Sequence, residues 1–257
     1  YVKKGGTGDR SGRNWENACP EVGTALYEAG FNNTIKGIWV AEGTYLPLYK
    51  AAETYNVDNR PTSENHKSFL LVDGVELYGG FPKNANSTIH APKDETPEEK
   101  RRALATRDTK RYETILSGKF DDGTSAYHVV IAAGTTNAVV DGFTVSGGGV
   151  AGTTKAGEER ITVNKYTVRD DAGAGIISVG SDCSYTLRNM TIRDNTSTNY
   201  GGGVFNSGIK DIRIENTLFF NNKSDNGGGL FHETGNCTIL NSEFRENVGT
   251  KSAISYK

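Results

Sequence analysis

The residues best equipped for chemistry in this 257-residue chain are acidic pairs with charged or aromatic neighbours. Asp121-Asp122-Gly123 places two carboxylates ahead of a glycine, a pattern that serves a Ca²⁺ contact or, more commonly, a turn. These aspartates are the metal candidates, and no other cofactor is expected. Arg169-Asp170-Asp171 sets a guanidinium beside two carboxylates and suits either an ionic site or a solvated loop. Tyr166 and Arg169, on the far arm of ITVNKYTV and just after it, are ligand-binding candidates. His66, His90, His128 and His232 show no spacing such as H-E-x-x-H and read as ordinary surface or core residues. Cys19, Cys183 and Cys237 lack C-x-x-C spacing, so neither a zinc knuckle nor a disulfide framework is indicated.

Whatever holds these groups in place is written in a repeat. NMTIRDN (189–195), NTLFFNN (216–222) and NSEFREN (241–247) each read Asn-x-x-(Ile/Phe)-x-x-Asn, with first asparagines 27 and 25 residues apart. A period of that size is the mark of a solenoid, whose coils bury an apolar face only by stacking. Relative to the first Asn, positions −4, −2 and +3 carry Tyr185, Leu187, Ile192; Ile212, Ile214, Phe219; and Cys237, Ile239, Phe244. The step from −2 to +3 changes parity, so the strand must bend at the Asn. Asn and Gly reach left-handed backbone at low cost, which assigns Asn189, Asn195, Asn216, Asn222, Asn241 and Asn247 to corners and permits a side-chain ladder between coils. The frame extends upstream with Gly142 and Gly74 in the Asn slot. Glycine runs before Val204 and Leu230 begin a third strand, giving three parallel strands per coil.

The fold class expected is all-β: a single-stranded, right-handed parallel β-helix, a pectin lyase-like solenoid with a short N-terminal capping helix. Residues 1–257 read as one domain. Residues 1–34 form the cap, with Pro20 in the first turn, Val22, Leu26 and Ala29 along one side, and Gly30 as the stop. Residues 35–148 are irregular coils with insertions at 47–67 and 82–111, the second holding a helix that opens at Pro97. Segment 149–174 is an inserted hairpin turning at Asn164 and Lys165. The regular repeats, 175–257, would leave an open sheet edge at Lys257, so they are expected to continue or be covered by another molecule.

A catalytic β-helix needs functional groups on outward positions of adjacent coils: a base and Ca²⁺-holding carboxylates for a lyase, or two carboxyls roughly 5–9 Å apart for a glycosidase. No outward column pairs carboxylates on neighbouring coils, and Asp141, Arg188 and Glu215 alternate in sign as in a solvated ladder. Ile177, Phe205 and Phe231 form an outward apolar column. They are candidates for stacking on a sugar face, with cover by the hairpin as the equal alternative.

YVKKGGTGDRSGRNWENA, IWVAEGTYLP, SFLLVDGVELYGGF, TILSG, AVVDGFTVSGG and GGG(V/L)F followed by Phe-x-x-Asn occur in that order. This series resembles bacterial right-handed β-helix surface proteins with polymorphic outer membrane protein-like repeats, marked by GGA(I/V/L) and Phe-x-x-Asn. The resemblance covers nearly the whole chain and implies secretion or outer-membrane attachment in a Gram-negative-type bacterium, with no catalytic set. Net charge of −2 with interspersed signs argues against a nucleic-acid partner, and no apolar run suggests a membrane span. The expected function is a non-catalytic, adhesin-like module that binds a glycan or a host or cell-surface protein through its inserted loops. The alternative is a carbohydrate-active enzyme, a polysaccharide lyase or glycoside hydrolase.

Overall fold

A computed structural model describes residues 1–51, 63–86, 97–149, 160–252 and 254–256. Most of its strands lie in three six-stranded, all-parallel sheets, which the chain visits in the same order six times; Lys223–Ser224 pairs with Val248–Gly249, and one hairpin forms a sheet of its own. Sheet A runs from Gly37–Ala41 through Glu76–Phe81, Ala138–Asp141, Ser184–Arg188 and Asp211–Glu215 to Asn236–Leu240. Sheet B contains Gly43–Tyr45, Thr114–Ser117, Thr144–Ser146, Thr191–Arg193, Leu218–Phe220 and Glu243–Arg245. Phe69–Leu70, Val130–Ala133, Ile176–Val179, Val204–Ser207, Leu230–His232 and Ile254–Tyr256 make sheet C. The architecture is parallel and solenoid-like, consistent with a β-helix.

The core is a set of columns. Ile38, Leu77, Val140, Leu187 and Ile214 pair in register across sheet A and are buried, while Ile239 continues the column in the sixth coil but is exposed. Val145, Ile192, Phe219 and Phe244 pair in register across sheet B, where the last two rings stack 4.3 Å apart at 5°. Each fully buried Leu, Ile or Phe stabilises by roughly 1.5–3 kcal/mol, and in a coil of so few residues that burial comes from the coils above and below. Leu77 departs from the expected frame. It lies over Val140 on sheet A, not over Val145 on sheet B, because Gly74 (φ 64°) turns the chain from sheet C to sheet A. In that coil the register of Tyr78 with Asp141 brings Gly79 level with Gly142, and Gly80 (φ 89°) supplies the left-handed turn just before the insertion. The coil is completed by Thr114–Ser117 and Val130–Ala133, whose short apolar runs carry no repeat signature.

Helix α1, Val22–Phe31, turns Val22, Leu26 and Ala29 into the core. It runs through Gly30 and ends at Asn32, so glycine is not the stop. Helix α2 is Pro97–Leu104, as the proline predicts. The 149–174 insertion contains the antiparallel hairpin Arg160–Val163 and Tyr166–Arg169, with Asn164 (φ 47°) and Lys165 (φ 68°) in its two-residue turn.

Candidate functional site

Two asparagine columns mark the corner regions around sheet B, and they differ in kind. Asn189, Asn216 and Asn241 have φ of 53°, 48° and 48° and sit at the A–B corner in left-handed backbone, aligned with Gly142 at 83°. At the B–C corner the left-handed residues are Asp194, Asn221 and Glu246, each one residue before Asn195, Asn222 and Asn247. Those second asparagines therefore follow the corner, and Asn195 and Asn222 are fully buried. Asn195 Nδ2 donates to Asn222 Oδ1 at 3.0 Å, and Asn222 Nδ2 to Asn247 Oδ1 at 2.9 Å. Each acceptor oxygen also takes the backbone N–H of the asparagine one coil back, at 3.2 and 3.1 Å.

Alongside the first column runs a groove of about 660 Å³. One wall is Thr109 and Lys110, at the end of the 82–111 insertion, with Glu113 just after it, and the other is the corner Asn189, Asn216 and Asn241. Thr144, Thr191, Leu218 and Glu243 form the floor, in register on the outer face of sheet B. Thr144 Oγ1 donates to Glu113 Oε1 at 2.8 Å, and Arg193 lies 3.7 Å from the same carboxylate. The insertion is clasped in place by Arg107, whose Nη2 donates to Asp141 Oδ2 at 3.1 Å while Arg188 Nε reaches that oxygen at 2.8 Å. Asn189 Nδ2 donates to Asp141 Oδ1 at 2.8 Å. Asp141 is 1% exposed, so the Asp141–Arg188–Glu215 column is not a solvated ladder throughout: Arg107 covers its first member. Arg107, Thr109, Lys110 and Glu113 carried no repeat or motif that could have singled them out. Only the general rule that insertions gather on one face pointed to them.

The apolar column Ile177, Phe205 and Phe231 does project outward from sheet C, yet it is buried. Ile161, Val163 and Val168 of the hairpin join it in a second hydrophobic cluster, so an open sugar-stacking face is replaced by an internal contact. Tyr166 lies on the close-packed side of Gly134 and Gly180, where an added Cβ would come within 2.6 and 2.8 Å of its ring, and its hydroxyl donates to Asp182 at 2.7 Å. Arg169 donates to both oxygens of buried Asp171, at 2.8 and 2.7 Å, and caps the ring of Tyr200 at 5.4 Å. Burial alone would raise the Asp171 pKa, but the bonds from Arg169 and Asn199 outweigh it and hold it below the usual range. The expected solvated loop is thus a partly buried ion pair.

Asp121 and Asp122 occupy a tight turn in which Asp122 Oδ1 accepts from the Thr124 N–H at 2.8 Å and its hydroxyl at 2.6 Å. Among the described residues no group of three or more potential metal ligands converges. The three cysteines are free thiols. No family model, curated protein or solved structure matches the chain. No described helix is long and apolar enough to cross a membrane.

Proposed function

We propose that the chain is a right-handed, pectin lyase-like β-helix serving as a non-catalytic, adhesin-like module, secreted or held on the surface of a Gram-negative-type bacterium. Right-handedness follows from the strong rule for crossovers between parallel strands of one sheet. The Gly-Gly-(Val/Leu) and Phe-x-x-Asn runs, which resemble polymorphic outer membrane protein repeats, support the surface assignment. The groove beside the first asparagine column carries the binding role, and its ligand is a hydroxyl-rich glycan lying along the axis. One observation supports this above the rest: the corner amides Asn189, Asn216 and Asn241 recur along the groove once per coil, at the strand spacing of about 4.8 Å, with the hydroxyls of Thr144 and Thr191 at one end of its floor. Thr191, Asn241 and Lys110 make no side-chain hydrogen bond within the described chain and are open to a partner.

Catalysis fits the groove poorly. Its carboxylates are Glu113 and Glu243; Glu113 reaches Thr144 in the third coil and Glu243 stands in the sixth, about three strand spacings or roughly 14 Å along the axis, beyond the separation a glycosidase uses. The test is a glycan panel with the wild type and the double substitution Thr191→Val, Asn241→Gly, the glycine keeping the left-handed backbone at that corner. Binding should fall at least tenfold while the melting transition moves little. Unchanged binding would reject the groove, and release of reducing ends or unsaturated products would reject the non-catalytic assignment. Parts of insertions 47–67, 82–111 and 149–174, the loops first expected to bind, lie outside the described residues.

A further inference from the structure

The final residues of two insertions converge on one buried histidine. From 47–67 and the residue following it, Asn65 Nδ2 donates to the Ser125 carbonyl at 2.5 Å, and Ser68 Oγ donates to the His128 carbonyl at 2.9 Å. The His66 ring lies 4.8 Å from that of Tyr127. From 149–174, the Gly173 carbonyl stands 3.1 Å from His128 Nδ1. His128 itself is 1% exposed. A carbonyl only accepts, so Nδ1 carries the hydrogen of the neutral ring and Nε2 is the site of any further proton.

The titratable and charged groups that face His128 are His66 from the first insertion and Asp171 from the second, with Arg169 behind Asp171. A proton on Nε2 is opposed by burial and by His66. The Gly173 carbonyl, Asp171 and the Ala172 carbonyl offset it in part. Asp171 is the one negative charge among them, and that carboxylate is already shared by Arg169 on both oxygens and Asn199 on one, at 2.7 Å.

We infer that His128 is an acid-sensitive latch: on taking up a proton it competes with Arg169 for Asp171, and the roots of both insertions, residues 63–68 and 169–173, loosen while the coils remain wound. Burial holds the closed His128 down at about 4, against 6.5 for a free imidazole. The opened form therefore binds the proton more readily. Closure is fully favoured above pH 6.5 and weakens as pH falls toward 4, with a ceiling of roughly 300-fold set by that difference. The hairpin as a whole should stay docked, because Ile161, Val163 and Val168 remain in the second hydrophobic cluster and carry no titratable group.

Hydrogen exchange at pH 7 and pH 4.5, corrected for intrinsic rates, tests the latch. Protection at 63–68 and 169–173 should fall at least 30-fold, with strands 184–188 and 211–215 unchanged, and His128→Gln should remove the difference. Uniform loss across all segments, or an unaltered response in His128→Gln, would overturn the inference. Should that variant fail to fold, the His128 imidazole is followed by NMR in the wild type. Titration in step with residues 169–173 supports the latch, whereas a ring that stays neutral until global unfolding overturns it.

Discussion

Asn216 and Asn222 lie six residues apart in one coil, and each recurs in the coils on either side, yet they solve different problems. Asn216 stands at an exposed corner with φ of 48° and donates a single 3.3 Å bond to Asn189. Its residue type is set by backbone conformation, which is why Gly142 takes the same place one coil before Asn189. Asn222 is buried, and its amide makes four bonds: to Asn195 N–H and Nδ2, to the Ile192 carbonyl, and to Asn247. Its residue type is set by hydrogen-bond accounting, since only a planar amide accepts from one coil while donating to the next. One period can therefore carry two physical constraints, and identity of residue type does not reveal which.

Substitutions can break that contrast. The largest effect is expected for Asn222→Ala, which strands the Asn195 N–H and the Ile192 carbonyl inside the protein and should cost about 4 kcal/mol in a denaturant titration, at 1–3 kcal/mol per orphaned group. A smaller loss belongs to Gly203→Ala, where the new Cβ would stand 2.4 Å from the Gly229 carbonyl oxygen and 3.2 Å from the Asn222 amide carbon. Overpacking of this kind costs about 1–3 kcal/mol. Asn216→Ala should cost about 1 kcal/mol, the penalty for a side chain less tolerant of left-handed backbone. Asn216→Gly should change stability by no more than about 0.5 kcal/mol in either direction. If Asn216→Gly and Asn222→Gly proved equally damaging, the two columns would not differ as described.

Much of the fold was legible because the regular coils repeat their apolar positions without interruption from 184 to 245. Tyr185, Leu187 and Ile192 could be matched to their successors by spacing alone, and they pair as that spacing requires. Legibility failed where an insertion separated strands of one coil. With Gly74 in the Asn slot, Leu77 falls at +3 and so on sheet B, whereas it lies on sheet A, because Gly74 mimics an A–B corner glycine in a chain that has left-handed glycines at other corners too. The candidate site was harder to read. Parity put Ile177, Phe205 and Phe231 on the outside of the coils, but outside is not the same as exposed, and the packing of Ile161 and Val163 on them is a tertiary contact with no sequence period. Arg107 and Asp141 likewise meet across 34 residues, a distance at which charge patterning says nothing.

The stacking of coils is tested most directly by methyl and backbone NOEs along sheet A in solution. The account predicts contacts from Leu187 to Ile214 and from Ile214 to Ile239, with amide patterns of parallel strands and no direct contact between Leu187 and Ile239. Strong cross-strand Hα–Hα contacts of an antiparallel pairing, or a shift of Ile214 by one residue against Leu187, would contradict it.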